Sequence, residues 1–495
     1  MIGLLWIVLA LLGLYLFFRF KPPVYQSLLL DKETARQKSA EFIRTHLGVD
    51  VSKWKSFAVY WYDHDTVNKL HHVGLLNQTR QVLYNWGLLE SWRIRFVSQN
   101  QSIITGVNAK GEITFFHADV RKKNLQTTGL GRVSLEQLKE DLAVDHEGLW
   151  AQAKATGSGE KQEDLEQVTT YWYMAESANI RMKMAVELYN QHIISLQTEQ
   201  EIRTENMNKA VQKEQLESTL GITGVLGSCI AVVAAIIVLI HLDVRADMTV
   251  SMIMGSILAV CNLFSIKEDI QLTIVNAYDS RMSLKMVSSL AILSAVLAGI
   301  LIGFVVFICS LAGNSLGENL HWPIWEKVGN QLLSGGCAGI ICLGLSAVFF
   351  SVLEKKKWLR ISPELSNRTI YLSGFTFRQG LNMSLQSSLV EETVYRLLMI
   401  PAIWFVSHSV FITLLVSSGL WAIMHQGTGY HPRWLRWIHL FAFGCFLGLL
   451  FIESGFLAVF AAHFIYNFIL FCMPLWNYNI QRKLNFKKTS KQSSF

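Results

Sequence analysis

Charge is scarce in this chain. Only 16% of its 495 residues are Asp, Glu, Lys or Arg, against 51% hydrophobic, and the mean hydropathy is +0.30. That balance excludes an ordinary soluble domain and points to a polytopic membrane protein. Cysteine is missing between residues 20 and 220, so no disulfide framework holds the polar part together. All seven cysteines (Cys229, Cys261, Cys309, Cys337, Cys342, Cys445 and Cys472) fall in or beside apolar runs, where thiols pack as small hydrophobes. Cys337 and Cys342 lack the nearby histidines of a zinc spacing. No basic patch is interleaved with aromatics, which excludes nucleic acid as a partner. The net charge of 44 − 37 = +7 suits an anionic membrane surface instead.

Long apolar runs are what the chain has. The first, Ile2 to Phe18, carries no basic leading region and no small-residue cleavage site, and so predicts an uncleaved anchor. Further runs lie near Leu220 to Leu242, Val250 to Ile266, Val287 to Leu311, Gln331 to Leu353, Met383 to Phe405, Ser409 to His425, Leu435 to Ile452 and Gly455 to Met473. Each is about the length that crosses a hydrocarbon core of roughly 30 Å. The expected fold is a polytopic all-α membrane bundle of about eight or nine spans, anchor included, with an inserted α+β soluble domain. The expected division is an anchor (1–19), a soluble domain (20–218), membrane helices (219–378), a membrane core bearing the site (379–475) and a basic tail (476–495). With nine spans, Lys355 to Arg360, the Arg433/Arg436 loop and the tail share one side, the cytoplasmic one, together with the soluble domain.

In the polar part a helix is expected from Asp31 to Gly48, followed by strands at Phe57 to Tyr62, Trp92 to Val97, Ile103 to Val107 and Ile113 to His117, with a hairpin turn at Asn108 to Gly111. The order then recurs. Ser134-Leu135-Glu136-Gln137 reads as a capping box, Gly157-Ser158-Gly159 as a loop, and Val168 to Tyr173, Ile180 to Tyr189 and Ile193 to Gln197 as strands. These tandem α+β units resemble PepSY-type domains in pattern. Asp63, His64, Asp65, His71 and His72 read as surface polar residues, and 199–218 as a solvated stalk helix.

Against this background Glu391-Glu392-Thr393-Val394-Tyr395-Arg396 stands inside an apolar segment. Ionisable groups at membrane depth are costly and usually serve a site. Glu392 and Arg396, four apart, share a helix face, so the arginine can neutralise and orient that carboxylate. Glu391 points about 100° away. Two downstream segments carry Trp421-x3-His425 and His463-x3-Asn467. A glutamate beside a histidine is a water-activating pair, and a second histidine with an asparagine supplies donors for an oxyanion. The bland alternative is a hydrogen-bond network that only locks helices together.

Glu-Glu-x3-Arg, aromatic-x3-His and His-x3-Asn, in that order on three consecutive apolar segments, resemble the CPBP family of intramembrane proteases. That group contains the CAAX prenyl endopeptidases and bacteriocin-processing or immunity proteins. The resemblance covers about residues 380 to 475. It implies an intramembrane endopeptidase in which Glu391 activates water with His425, His463 and Asn467 stabilise the oxyanion, and Glu392 and Arg396 are the supporting pair. The family's second motif usually opens with Phe, where this chain has Trp421. No cofactor is expected to be required. Zinc is possible, and Glu391, His425 and His463 would then be its ligands. The implied setting is a bacterial cell membrane, crossed several times, with a peptide or membrane-protein substrate. A non-catalytic membrane binding or bacteriocin-immunity protein is the alternative. Gly313-Asn314-Ser315-Leu316-Gly317 matches a serine nucleophile elbow, but without a preceding strand it reads as a polar loop, and Tyr278-Asp279 as a loop pair.

Overall fold

The computed structural model describes residues 2–22, 30–87, 89–120, 135–143, 148–163, 166–177, 179–190, 192–241, 248–322, 324–366, 376–425 and 427–492. Helix α1 (Ile2–Phe20) leads into a sheet domain. α2 (Lys32–Leu47) starts where the carboxylate of Asp31 accepts from the backbone N–H groups of Glu33 and Thr34, and stops at Gly48, whose φ of 72° favours a residue without a Cβ. β1 (Lys55–Trp61), α3 (His64–Val73), α4 (Leu76–Asn85), β2 (Ser91–Ser98), β3 (Gln101–Asn108) and β4 (Ile113–Asp119) follow. A second unit holds α5 (Leu135–Leu142), α6 (Leu149–Gln152), β5 (Lys154–Glu163), β6 (Glu166–Ser177), β7 (Ile180–Tyr189) and β8 (His192–Ile202).

The two units fuse into one eight-stranded antiparallel sheet, ordered β1-β2-β3-β4-β8-β7-β6-β5. The seam is the pairing of Phe116 with Leu196 and His117 with Ser195. In β7, Ile180, Met182, Met184, Val186 and Leu188 alternate into the core, the period-two burial of a sheet with one covered face. Gly157-Ser158-Gly159, expected as a loop, lies in β5. The glycines sit beside a register shift at Ala155/Gly157 and leave room for the Trp172 ring, so the sheet absorbs a turn-like sequence. Ser134, the first residue of the capping box expected before α5, lies outside the described residues.

The chain returns to the membrane through α7 (Met207–His241), one continuous helix that carries most of the expected stalk into the expected span, whereas residues 199–202, also expected in the stalk, pair with β7 as the end of β8. α8 (Met248–Cys261) passes through a tighter turn at Asn262–Ser265 into α9 (Ile266–Ala277). α10 (Leu284–Asn319) and α11 (Val328–Lys355) come next. β9 (Arg360–Ile361), α12 (Pro363–Ser366), α13 (Phe377–Glu392), a π-helical turn (Thr393–Leu398) and α14 (Met399–Ser407) follow. α15 (Val410–Met424), β10 (Tyr430–His431), α16 (Trp434–Ser454) and α17 (Phe456–Gln492) complete the chain.

Among the described residues seven helices are long and apolar enough to cross a membrane: Gly3–Phe20, Met207–His241, Met248–Ala277, Leu284–Asn319, Val328–Lys355, Trp434–Ser454 and Phe456–Asn477. The expected count of eight or nine adds two segments outside that set. The run through α13 and α14 is diluted by polar residues, and the 15 residues of α15 span only about 22 Å. Ser315, expected in a loop, is buried inside α10, since the apolar period simply continues through Gly313-Asn314-Ser315.

α1 runs parallel to α11. Gly3 meets Leu333, Gly13 meets Ile340, and the Lys355 ammonium lies 5.6 Å from the Phe20 ring. Gly13 and Gly344 allow backbone contact there, the small-residue packing that joins helices in lipid. The sheet domain therefore shares a side with Lys355, Lys356 and Lys357.

That domain is docked on the membrane core. Arg95 donates to the carbonyls of Val275 (3.1 Å) and Tyr278 (3.4 Å) at the end of α9, and Gln271 donates to the Ala58 carbonyl (2.7 Å). His71 and His72, expected at the surface, are buried in this junction. Nδ1 of His71 bonds the Ser362 hydroxyl, Arg360 donates to the His71 carbonyl, and Arg433 lies 3.0 Å from Nε2 of His72. The His431 ring stands 5.9 and 5.6 Å from those of His71 and His72. Burial, reinforced by Arg360, pushes His71 down to about 2. Burial with Arg433 pushes His72 to about 3, and burial with Lys213 pushes His431 to about 4. Nothing in the local sequence signals this, because the covering groups lie 289 to 361 residues downstream.

Candidate active site

The polar face of α13 is anchored by a reciprocal cap, Thr376 to the Gln379 backbone N–H and the Gln379 side chain to the Thr376 N–H. Two turns of polar residues then lead to Glu391 and Glu392. The helix widens into its π turn directly after them, a distortion that recurs at functional sites. The Ser417 hydroxyl donates to the Tyr395 carbonyl (2.6 Å) in that turn, tying α13 to α15.

Glu392 is fully buried between two partners. Its Oε1 is 3.3 Å from Nη1 of Arg396 and 2.6 Å from Nδ1 of His463. Arg396, also fully buried, donates to the Gly444 carbonyl on α16 (3.4 Å) and stacks 4.6 Å over the Trp421 ring. One arginine thus binds three elements around the carboxylate, as a buried charge requires.

Glu391 turns the other way, with its side chain 16% exposed. Its Oε2 accepts the indole N–H of Trp421 at 2.6 Å. Nε2 of His425 lies 3.6 Å and Nε2 of His463 3.9 Å from the same oxygen. Those gaps exceed a direct hydrogen bond, yet a single water can touch both Oε2 and either imidazole with bonds of about 2.8 Å.

The histidines are held from behind. Nδ1 of His425 meets the Trp421 carbonyl (2.8 Å), and Trp437 donates to the His425 carbonyl (2.8 Å). With Nδ1 engaged, Nε2 is the free nitrogen of each ring, and both free nitrogens face Glu391.

Glu391, Glu392, Arg396, His425 and His463 meet in one cluster. Asn467 reaches the cluster's helix through Ser387, whose hydroxyl accepts from Nδ2 at 3.0 Å, one turn before Glu391. Ser387, Trp437 and the donor role of Trp421 were not read from the sequence. Only the spacing Ser387-x3-Glu391 could have signalled the first.

Among the described residues no group of three or more His, Cys, Asp or Glu is placed to hold a metal ion.

Residues 373–469, which include all six expected site residues, match the family of Rce1-like type II CAAX prenyl endopeptidases. Over 480 residues the chain is 55% identical to the sporulation-killing factor biosynthesis protein SkfC of Bacillus subtilis (strain 168), covering 97% of each. The chain belongs to the CPBP family. With its apolar helices, this membership makes it a multi-pass bacterial membrane protein of an intramembrane-protease family. No solved structure matches the chain. The family match leaves residues 20–218 outside it, so their likeness to PepSY domains stays one of pattern.

Proposed function

We propose that this CPBP protein is an intramembrane endopeptidase that hydrolyses a peptide bond with water activated by Glu391, without a metal. The observation that carries the reading is the convergence of Trp421 Nε1, His425 Nε2 and His463 Nε2 on one oxygen of Glu391. Glu391 takes a proton from water held between it and His425, and the oxygen attacks the carbonyl carbon of the scissile bond. The carbonyl π electrons move to oxygen, giving a tetrahedral oxyanion. When that intermediate collapses, the C–N bond breaks and the proton passes to the leaving amine, so water is consumed and a carboxyl and an amine appear.

The hold on His463 supports it as an oxyanion partner: its Nδ1 is engaged by Oε1 of Glu392 at 2.6 Å, which turns its Nε2 toward the site, 3.9 Å from Oε2 of Glu391. Asn467 adds a second donor once substrate draws it from Ser387.

The name of SkfC favours a biosynthetic cleavage, one that matures a product, over general degradation. The peptide content of membranes carrying wild type is compared with that of membranes carrying Glu391→Gln. The expected result is at least one fragment lost in the variant while the protein itself remains folded. Identical fragments would remove the catalytic reading and leave the non-catalytic binding or immunity role.

A further inference from the structure

Resting on the reading of Glu391 as the base, we infer that the indole N–H of Trp421 fixes that carboxylate in its working orientation. Trp421 is therefore a positioning residue, one for which an aromatic ring alone is not enough.

A glutamate carboxylate rotates about its last bond with little preference, so its direction must be set from outside. Among the described residues Trp421 is the one donor within hydrogen-bond distance of Glu391, at 2.6 Å to Oε2. The imidazoles at 3.6 and 3.9 Å are too far to orient it directly. The other charged or titratable groups nearby, Glu392, Tyr395 and Arg396, belong to its own helix.

The donor is itself immobile. Trp421 is 1% exposed, its face is covered by Arg396 at 4.6 Å, and His425, Phe443 and His463 flank it at 4.9, 5.9 and 5.7 Å. On α16, Gly444 makes the room: a Cβ there would lie 3.1 Å from the indole Cε3. A guanidinium over the ring also draws electron density from the indole, which strengthens its N–H as a donor. The same ring thus links the fully buried Arg396–Glu392 pair to the partly buried Glu391.

Pinning Oε2 serves the chemistry. One lone pair of that oxygen is occupied by the indole, while the other and both of Oε1 remain to accept a proton from water. A phenylalanine would fill most of the volume but let the carboxylate turn away from His425.

The test uses the full-length protein in proteoliposomes and the peptide whose release stops with Glu391→Gln. Trp421→Phe is compared with site-specific replacement of Trp421 by benzothienylalanine, which keeps the bicyclic shape and puts sulfur where the N–H stood. Expected is a fall in kcat of about tenfold or more for both, the scale of a misaligned catalytic group, with KM within about twofold. The benzothienylalanine protein should melt at the wild-type temperature. Wild-type kcat in that protein, or a loss confined to KM, overturns the inference. A kcat loss matched by a lower melting temperature assigns the ring a structural role and overturns it too. If Glu391→Gln itself cleaves every peptide that wild type does, the reading of the site fails instead.

Discussion

Nδ1 of His463 lies 2.6 Å from Oε1 of Glu392, and this contact joins helices α17 and α13 at a point from which solvent is excluded. Both residues lie between Arg396 and Glu391.

Glu392→Gln is expected to destabilise the protein by about 3 to 5 kcal/mol, because it leaves Arg396 as an uncompensated buried charge and removes the acceptor for His463. Denaturation in detergent measures this directly. A variant that melts like wild type and retains full activity would show that the pair does not support the site.

Asn467→Ala should lower kcat by about a hundredfold with little change in KM, as expected for an oxyanion donor. Ser387→Ala, which removes only the group holding that amide at 3.0 Å, should cost less, about tenfold. A change confined to KM in the first variant would move Asn467 from the reaction to substrate binding.

Docking of the sheet domain should weaken in acid. His71, His72 and His431 are held neutral by burial, with folded values near 2, 3 and 4, below the unfolded value of 6.5. Below about pH 6.5 the released state binds more protons, so the docked state is fully stable above that pH and loses ground from there down toward pH 4. Limited proteolysis between the two parts should accelerate across this window. Cleavage rates that stay flat from pH 7 to pH 4 would rule the effect out.

Lys110→Cys and Lys356→Cys, each in a background without reactive native thiols, should meet an impermeant maleimide from the same side. The parallel course of α1 and α11 puts both on one side, which the lysine and arginine distribution predicts to be the cytoplasm. Labelling of either on intact cells would overturn the cytoplasmic assignment, and opposite results for the two would overturn the shared side.

Local chemistry made much of the fold readable. Asp31 and Gly48 bound α2 because capping and left-handed backbone are properties of single residues. The alternation in β7 and the length of the apolar runs work the same way, through one element and its immediate surroundings. The site was readable for a related reason, since carboxylates, an arginine and histidines inside apolar segments have few uses other than one another.

By itself, then, the sequence determined a membrane bundle with an inserted α+β domain, and singled out Glu391, Glu392, Arg396, His425 and His463 as polar residues inside apolar segments. Only the tertiary structure decided that two strand units become one sheet through Phe116 and Leu196, that His71 and His72 are buried, and that the Trp421 N–H rather than a histidine touches Glu391. These outcomes depend on which distant groups are brought to a given side chain. Hydrophobic period and capping act over a few residues, whereas a hydrogen bond or a buried imidazole is satisfied by whatever the packing of separate helices delivers within about 3 Å.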